Sequence, residues 1–189
     1  MSLIKNSPSW VVDEHKMFAD STRRLFNAEM APNIEKWVEQ GIVDRDFWKT
    51  VGQQGVMGGS IAQEYGGFGG GIGFDAITVY EQGRTGDTGW GYGIQSIVIH
   101  YLNAYGSEEQ KKKWLPKLVS GDSVAAIAMT EPGTGSDLQN VQTHAEKDGN
   151  HYKINGSKIF ITNGGAEVHL VLARDDEHYE ESKGSTKGL

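Results

Sequence analysis

The chain has 189 residues, with 18 Lys and Arg against 25 Asp and Glu and a formal net charge of −7. That balance excludes a protein built chiefly around nucleic acid, whose phosphates require clustered cations. With no cysteine, disulfides, thiolate catalysis and cysteine-based zinc sites are excluded too, and a reducing compartment, the cytoplasm, is expected.

The first half reads as helices. Ser7 followed by Pro8 suits an N-cap and first helical position. Trp10, Val11, Met17, Phe18 and Leu25 then form an expected apolar stripe, with Pro32 just past the helix end. Asp44 is placed to cap a short helix presenting Phe47, Trp48 and Val51, with Gly55 at its stop. "DAITVYEQGR" and "IQSIVIHYLNAYG" read as two more helices. The second is apolar enough to be buried, and its β-branched residues leave a strand open as the alternative. Ser107 with Gln110 is a capping-box pattern opening "EEQKKKWL". Pro116 is expected to end or kink that helix, and Gly121 to close the region. The run Lys111–Lys113 reads as a solvated face, with an anionic partner as the alternative. No apolar run approaches the roughly 20 residues of a membrane span, and the N-terminus lacks the apolar core of a signal peptide.

From about Ser123 the pattern changes. "VAAIAM", "VQTHAEK", "NHYKI", "SKIFIT" and "HLVLAR" read as short strands. Asp148-Gly149, Asn155-Gly156 and Asn163-Gly164-Gly165 between them are turn signals, because these residues tolerate positive φ. The expected class is therefore α+β: an all-α helical domain over residues 1–121, then a partial antiparallel β-barrel or sheet over 122–189. "ESKGSTKGL" ends as if another strand should begin, which would leave an unpaired edge. The chain reads as a fragment.

Several chemistries find no footing. Gly71, Gly73 and Ala76 have G-x-G-x-x-A spacing, but no convincing strand precedes them, as a dinucleotide fingerprint needs. The six glycines between Gly66 and Gly73 read instead as a turn where backbone passes close to something else. His15, His100, His144, His151, His169 and His178 show no metal-ligand spacing. A G-x-S-x-G elbow and a Walker A lysine are both lacking. Two stretches stand out, "MTEPGTGSD" and, starting 29 positions later, "KIFITNGG". Gly133 and Gly135 could turn main-chain amides into one concavity beside the Thr134 and Ser136 hydroxyls, a nest for an anionic oxygen. Thr130 and Thr162 would each end an apolar strand, with Phe160 on the same face as Thr162 and able to stack on a flat ring. An ordinary hairpin sheet with capped turns is the competing reading.

Together these stretches resemble the acyl-CoA dehydrogenase family, whose middle domain carries T-E-P-x-x-G-S-D and then N-G-x-K-x-x-I-T-N-G. Here they are "TEPGTGSD" and "NGSKIFITNGG", preceded by "YGSEEQKKKWLPKLVSGDSVAAIA" and, earlier, "EYGGFGGGIG". The resemblance covers nearly the whole chain. It implies N-terminal helices, a middle β domain and a C-terminal four-helix bundle, of which this chain would supply the first and about half the second. It implies FAD as cofactor, bound along Ile127, Met129, Thr130, Gly135 and Ser136 and beside Phe160, Ile161 and Thr162. Thr162 would offer its hydroxyl to flavin nitrogen-5, and Ser136 would also touch the substrate thioester. Phe160 stands where many members carry Trp, so stacking survives without the indole N–H. The implied reaction is α,β-dehydrogenation of an acyl-CoA to a trans-2-enoyl-CoA, in fatty acid metabolism. No catalytic residue is expected in this chain, because the usual Glu base comes from the C-terminal bundle. Glu131 and Asp137 are expected to fix the turn. An electron-transfer flavoprotein-type acceptor and a homotetramer or homodimer are the implied partners. Acyl-CoA oxidases and flavin monooxygenases of the same fold, which usually vary these motifs, are the rivals for the parent protein, whereas the 189-residue chain alone is expected to be inactive, a non-catalytic piece unable to hold flavin. Ile94, Ile97 and Val98 could set pocket depth. Trp90 and Tyr92 read as core, with pocket shaping as the alternative.

Overall fold

The computed structural model describes residues 8–175, so the expected Ser7 cap and the closing "ESKGSTKGL" lie outside them. Within that range the helices are α1 (Asp13–Leu25), α2 (Ile34–Gln40), α3 (Arg45–Gln53), α4 (Gly73–Thr85), α5 (Tyr92–Tyr105) and α6 (Glu108–Ser120). The strands are β1 (Ala125–Ala128), β2 (His144–Asp148), β3 (His151–Asn155), β4 (Val168–Val171) and β5 (Arg174–Asp175). The chain divides into two compact units, Met1–Val124 and Ala125–Leu189.

The helical unit is organised around Trp90. Its indole lies 5.5 Å from the Phe26 ring, 5.3 Å from Phe47 and 5.5 Å from Trp48, and stacks on Tyr92 at 4.9 Å. Trp90 and Tyr92 are thus core residues. The expected stripe on α1 is displaced: Trp10 and Val11 precede the first turn and Met17 is exposed. The buried seam runs through Ala19, Thr22, Phe26 and Met30, three or four apart, as a helix face requires. On α4 the buried face is polar apart from Phe74. Glu81 accepts a forked pair from Arg23 at 3.0 and 2.7 Å, and Asp75 accepts from the Tyr92 hydroxyl at 2.8 Å. Burying such groups is tolerable only with partners in place. The apolar α5 is a helix with one buried face: Val98 and Ile99 are inside, whereas Ile97, Tyr101 and Tyr105 are exposed.

Two close approaches explain the glycines. A Cβ on Gly52 would lie 2.1 Å from the Ser120 carbonyl oxygen, and one on Gly121, at φ +77°, 2.1 Å from that of Trp48. Backbone therefore meets backbone where α3 crosses the end of α6. In the glycine-rich loop, a Cβ on Gly67 would fall 2.0 Å from the Ile61 carbonyl oxygen. This is the expected tight turn, preceded by a 3₁₀ turn at Gln63–Tyr65 rather than a strand. The Ser107–Gln110 capping box is present. Asp44 sits at the N-cap of α3, but its carboxylate accepts from Lys36 and Gln40 instead of capping. Pro116 does not end α6, which continues to Ser120. An interior proline costs about 3 kcal/mol. Leu115, Leu118 and Val119 around it are buried, each worth roughly 1.5–3 kcal/mol, so burial wins.

The chain is α+β as expected, but its second unit is not the expected antiparallel sheet. Among the described strands only β2 and β3 pair antiparallel, around Asp148 and Gly149; β1–β4 and β2–β5 are parallel. The long connection between β1 and β4, which contains the β2–β3 hairpin, supplies the crossover that parallel pairing requires. "SKIFIT" is not a strand. Phe160 and Asn163 lie at φ +55° and +59°, left-handed values that interrupt extended backbone.

Candidate functional site

The two motif stretches come together at the end of β1. There Ala125, Ala126 and Ala128 are buried and Ile127 is half-buried. Beyond it, the Thr130 carbonyl accepts from the Ile159 N–H at 2.9 Å. The Lys158 ammonium donates to the Met129 carbonyl at 2.8 Å and to Glu131 Oε1 at 2.9 Å. Asn163 Nδ2 donates to the Ala125 carbonyl at 3.1 Å. Residues 160–162 form an arch between these anchors.

Glu131 is the hub of the first motif. Its carboxylate accepts from the Gln142 N–H at 2.7 Å, the Thr143 N–H at 2.9 Å, the Thr143 hydroxyl and Lys158. Burial pushes its pKa up, but the Thr143 hydroxyl, the Gln142 N–H, the Lys158 charge and the Thr143 N–H hold it at about 2. Glu131 N–H and Thr134 N–H exchange hydrogen bonds with each other's carbonyls, closing the P-G turn. Asp137 accepts from Asn140 Nδ2, and its carbonyl accepts from the Asn140 N–H. Both acidic residues thus serve the turn. Arg174 is buried and donates Nε to the Val141 carbonyl at 3.0 Å.

The expected site residues fare differently. Thr134 is buried; its N–H is used in the turn and its hydroxyl donates to the Asn140 carbonyl at 3.1 Å. It is therefore lost to the expected nest. The hydroxyls of Thr130, Ser136 and Thr162 have no hydrogen-bond partner among the described residues, and none of the three side chains is buried. Thr162 ends no strand, because the arch replaces one. Phe160 is 89% exposed. Met129 and Ile161 are half-buried and Gly135 is exposed. A Cβ on Gly133 or Gly135 would meet nothing within 4 Å, so the turn is open on that side. The open glycine turn, the three unengaged hydroxyls and the uncovered Phe160 ring are thus left available at the surface of the second unit. What the sequence reading missed is the Glu131–Lys158 pair and the Thr143 hydroxyl. The lysine was visible in N-G-x-K, but its partner lies 27 positions away. Among the described residues, no group of three or more His, Asp or Glu could hold a metal ion, and no helix is long and apolar enough to cross a membrane.

Residues 12–122 match the family model described as acyl-CoA dehydrogenase, N-terminal domain, and residues 126–187 that of the acyl-CoA dehydrogenase, middle domain. The chain belongs to the acyl-CoA dehydrogenase family. It is 46% identical over 162 residues to a long-chain specific acyl-CoA dehydrogenase, mitochondrial, from Sus scrofa, covering 85% of this chain and 38% of that one. The crystal structure of an acyl-CoA dehydrogenase from Geobacillus kaustophilus matches at a TM-score of 0.87 and 38% identity, over 92% of this chain and 46% of that one. A glutaryl-CoA dehydrogenase from Mycobacterium smegmatis in complex with FADH2 matches at 0.80 and 31% identity, over 88% and 44%. The chain thus spans less than half the length of the relatives it matches.

Proposed function

We propose that this chain forms part of an FAD-dependent acyl-CoA dehydrogenase and contributes the ring-side and pyrophosphate-side contacts of its flavin site. The observation that carries the reading is the arch at 160–162, anchored onto the end of β1, together with the Thr130, Ser136 and Thr162 hydroxyls that no described protein group engages. FAD, when bound, supplies the acceptor for a hydride leaving the carbon β to an acyl thioester. The chain's own residues hold and orient. Main-chain groups of Met129 and Thr130 and the Thr162 hydroxyl would contact the ring, Phe160 and Ile161 would cover it, and Ile127, Gly135 and Ser136 would line the rest. Ser136 also suits the thioester end of an acyl-CoA substrate. The base that removes the α-proton is not assigned to this chain, because Glu131 and Asp137 are both committed to the turn. An electron-transfer flavoprotein-type acceptor and a homotetramer or homodimer belong to the same reading, as does a place in fatty acid metabolism. The domain limits we propose are 1–121 for the helical domain and 122–189 for the first part of the middle domain. The cytoplasmic placement rests on the cysteine-free composition; the pig relative is by its name mitochondrial.

The test is a visible spectrum of the purified chain after incubation with FAD and desalting. A retained flavin band is expected. Thr162→Ala is expected to weaken FAD binding about 2- to 13-fold, the worth of one hydrogen bond of ~0.5–1.5 kcal/mol. A chain that stays colourless rejects flavin binding by this chain.

A further inference from the structure

We propose that Lys158 is a positioning residue whose ammonium, paired with Glu131, fixes the near end of the 160–162 arch against β1; its service to a flavin rests on the reading above. Lys158 side chain is 10% exposed and Glu131 5%, so neither charge is a surface ornament. One ammonium spans two acceptors on the first motif, the Met129 carbonyl and the Glu131 carboxylate, at 2.8 and 2.9 Å. The next residue, Ile159, donates its N–H to Thr130. Consecutive residues 158 and 159 thereby grip consecutive residues 129, 130 and 131, and Asn163 secures the far end on Ala125. Turning the Met129 carbonyl toward Lys158 commits the acceptor of that residue to the protein. The Thr130 hydroxyl beside it stays unengaged.

The hydrogen bonds separate positioning from general scaffolding. Glu131 has donors besides Lys158: the Gln142 and Thr143 N–H groups and the Thr143 hydroxyl. Losing the lysine therefore leaves the 131–143 link in place and frees only the arch. Charged hydrogen bonds across buried pairs are the ones whose removal is felt. Lys158→Met keeps the aliphatic stem and deletes the two donated bonds, whereas Lys158→Arg keeps a cation able to reach both acceptors.

The experiment measures amide hydrogen exchange and FAD affinity on the 189-residue chain and both variants. In Lys158→Met without flavin, the Ile159 N–H is expected to exchange at least tenfold faster, while the Gln142 and Thr143 N–H groups keep their rates. FAD binding, followed by quenching of flavin fluorescence, should weaken at least tenfold, and Lys158→Arg should recover most of both effects. Unchanged exchange at Ile159 overturns the proposal. So does equal acceleration at Ile159, Gln142 and Thr143, which would make Lys158 part of the general scaffold. If the unsubstituted chain binds no FAD, the flavin reading fails for this chain and the exchange pattern decides the clamp alone.

Discussion

Glu131 is charged although it is buried, because four donors converge on it. With a folded pKa of about 2 against an ordinary 4.5, it favours the folded state fully above about pH 4.5. That contribution is lost as the pH falls from about 4.5 towards 2, and amounts to roughly 3 kcal/mol. Urea melts between pH 6 and 2.5 should therefore fall more steeply for the native chain than for Glu131→Gln, which carries no titrating group there. Equal slopes would mean that the carboxylate is not held down. At this scale the sequence was legible as a motif and silent on its contacts. T-E-P announces a turn, but nothing local says that Glu131 faces Thr143 and Lys158. Thr134 misled for the same reason. A hydroxyl between glycines looks available until the fold brings the Asn140 carbonyl to it.

Among the elements, those whose signals are local were readable: the Ser107–Gln110 box, the glycine after α6, the Asp148-Gly149 hairpin. Those decided by burial or by distant partners were not. Pro116 obeys its neighbours Leu115 and Leu118 rather than its own preference. The alternation in "SKIFIT" gives way to anchors reaching from β1. The α3–α6 crossing turns on Gly52, whose replacement by Ala would set a methyl 2.1 Å from a main-chain oxygen. Backbone on both sides cannot yield as a side chain would, so Gly52→Ala is expected to cost about 1–3 kcal/mol. A melting temperature within a degree of the native value would show that the helices can separate there.

Across the molecule, the two units rest on unlike foundations. The helical unit buries Phe26, Phe47, Trp48, Trp90 and Tyr92, whereas the described apolar interior of the second unit is Ala125, Ala126, Ala128 and Val141. Small side chains bury little area, so buried polar contacts such as those of Glu131, Thr143 and Arg174 weigh more in the second unit. Heating followed by circular dichroism should show two transitions, the second unit melting first. FAD, if it binds the folded form alone, should raise that lower transition only. A single transition coincident at all wavelengths would reject separate melting. The ring cluster around Trp90 then has an optical consequence. All five tryptophans of the chain precede residue 125, so indole emission reports on the helical unit in which they lie. A thermal curve recorded by tryptophan fluorescence would report an intact helical unit while the TEPGTGSD turn and its arch had already come apart.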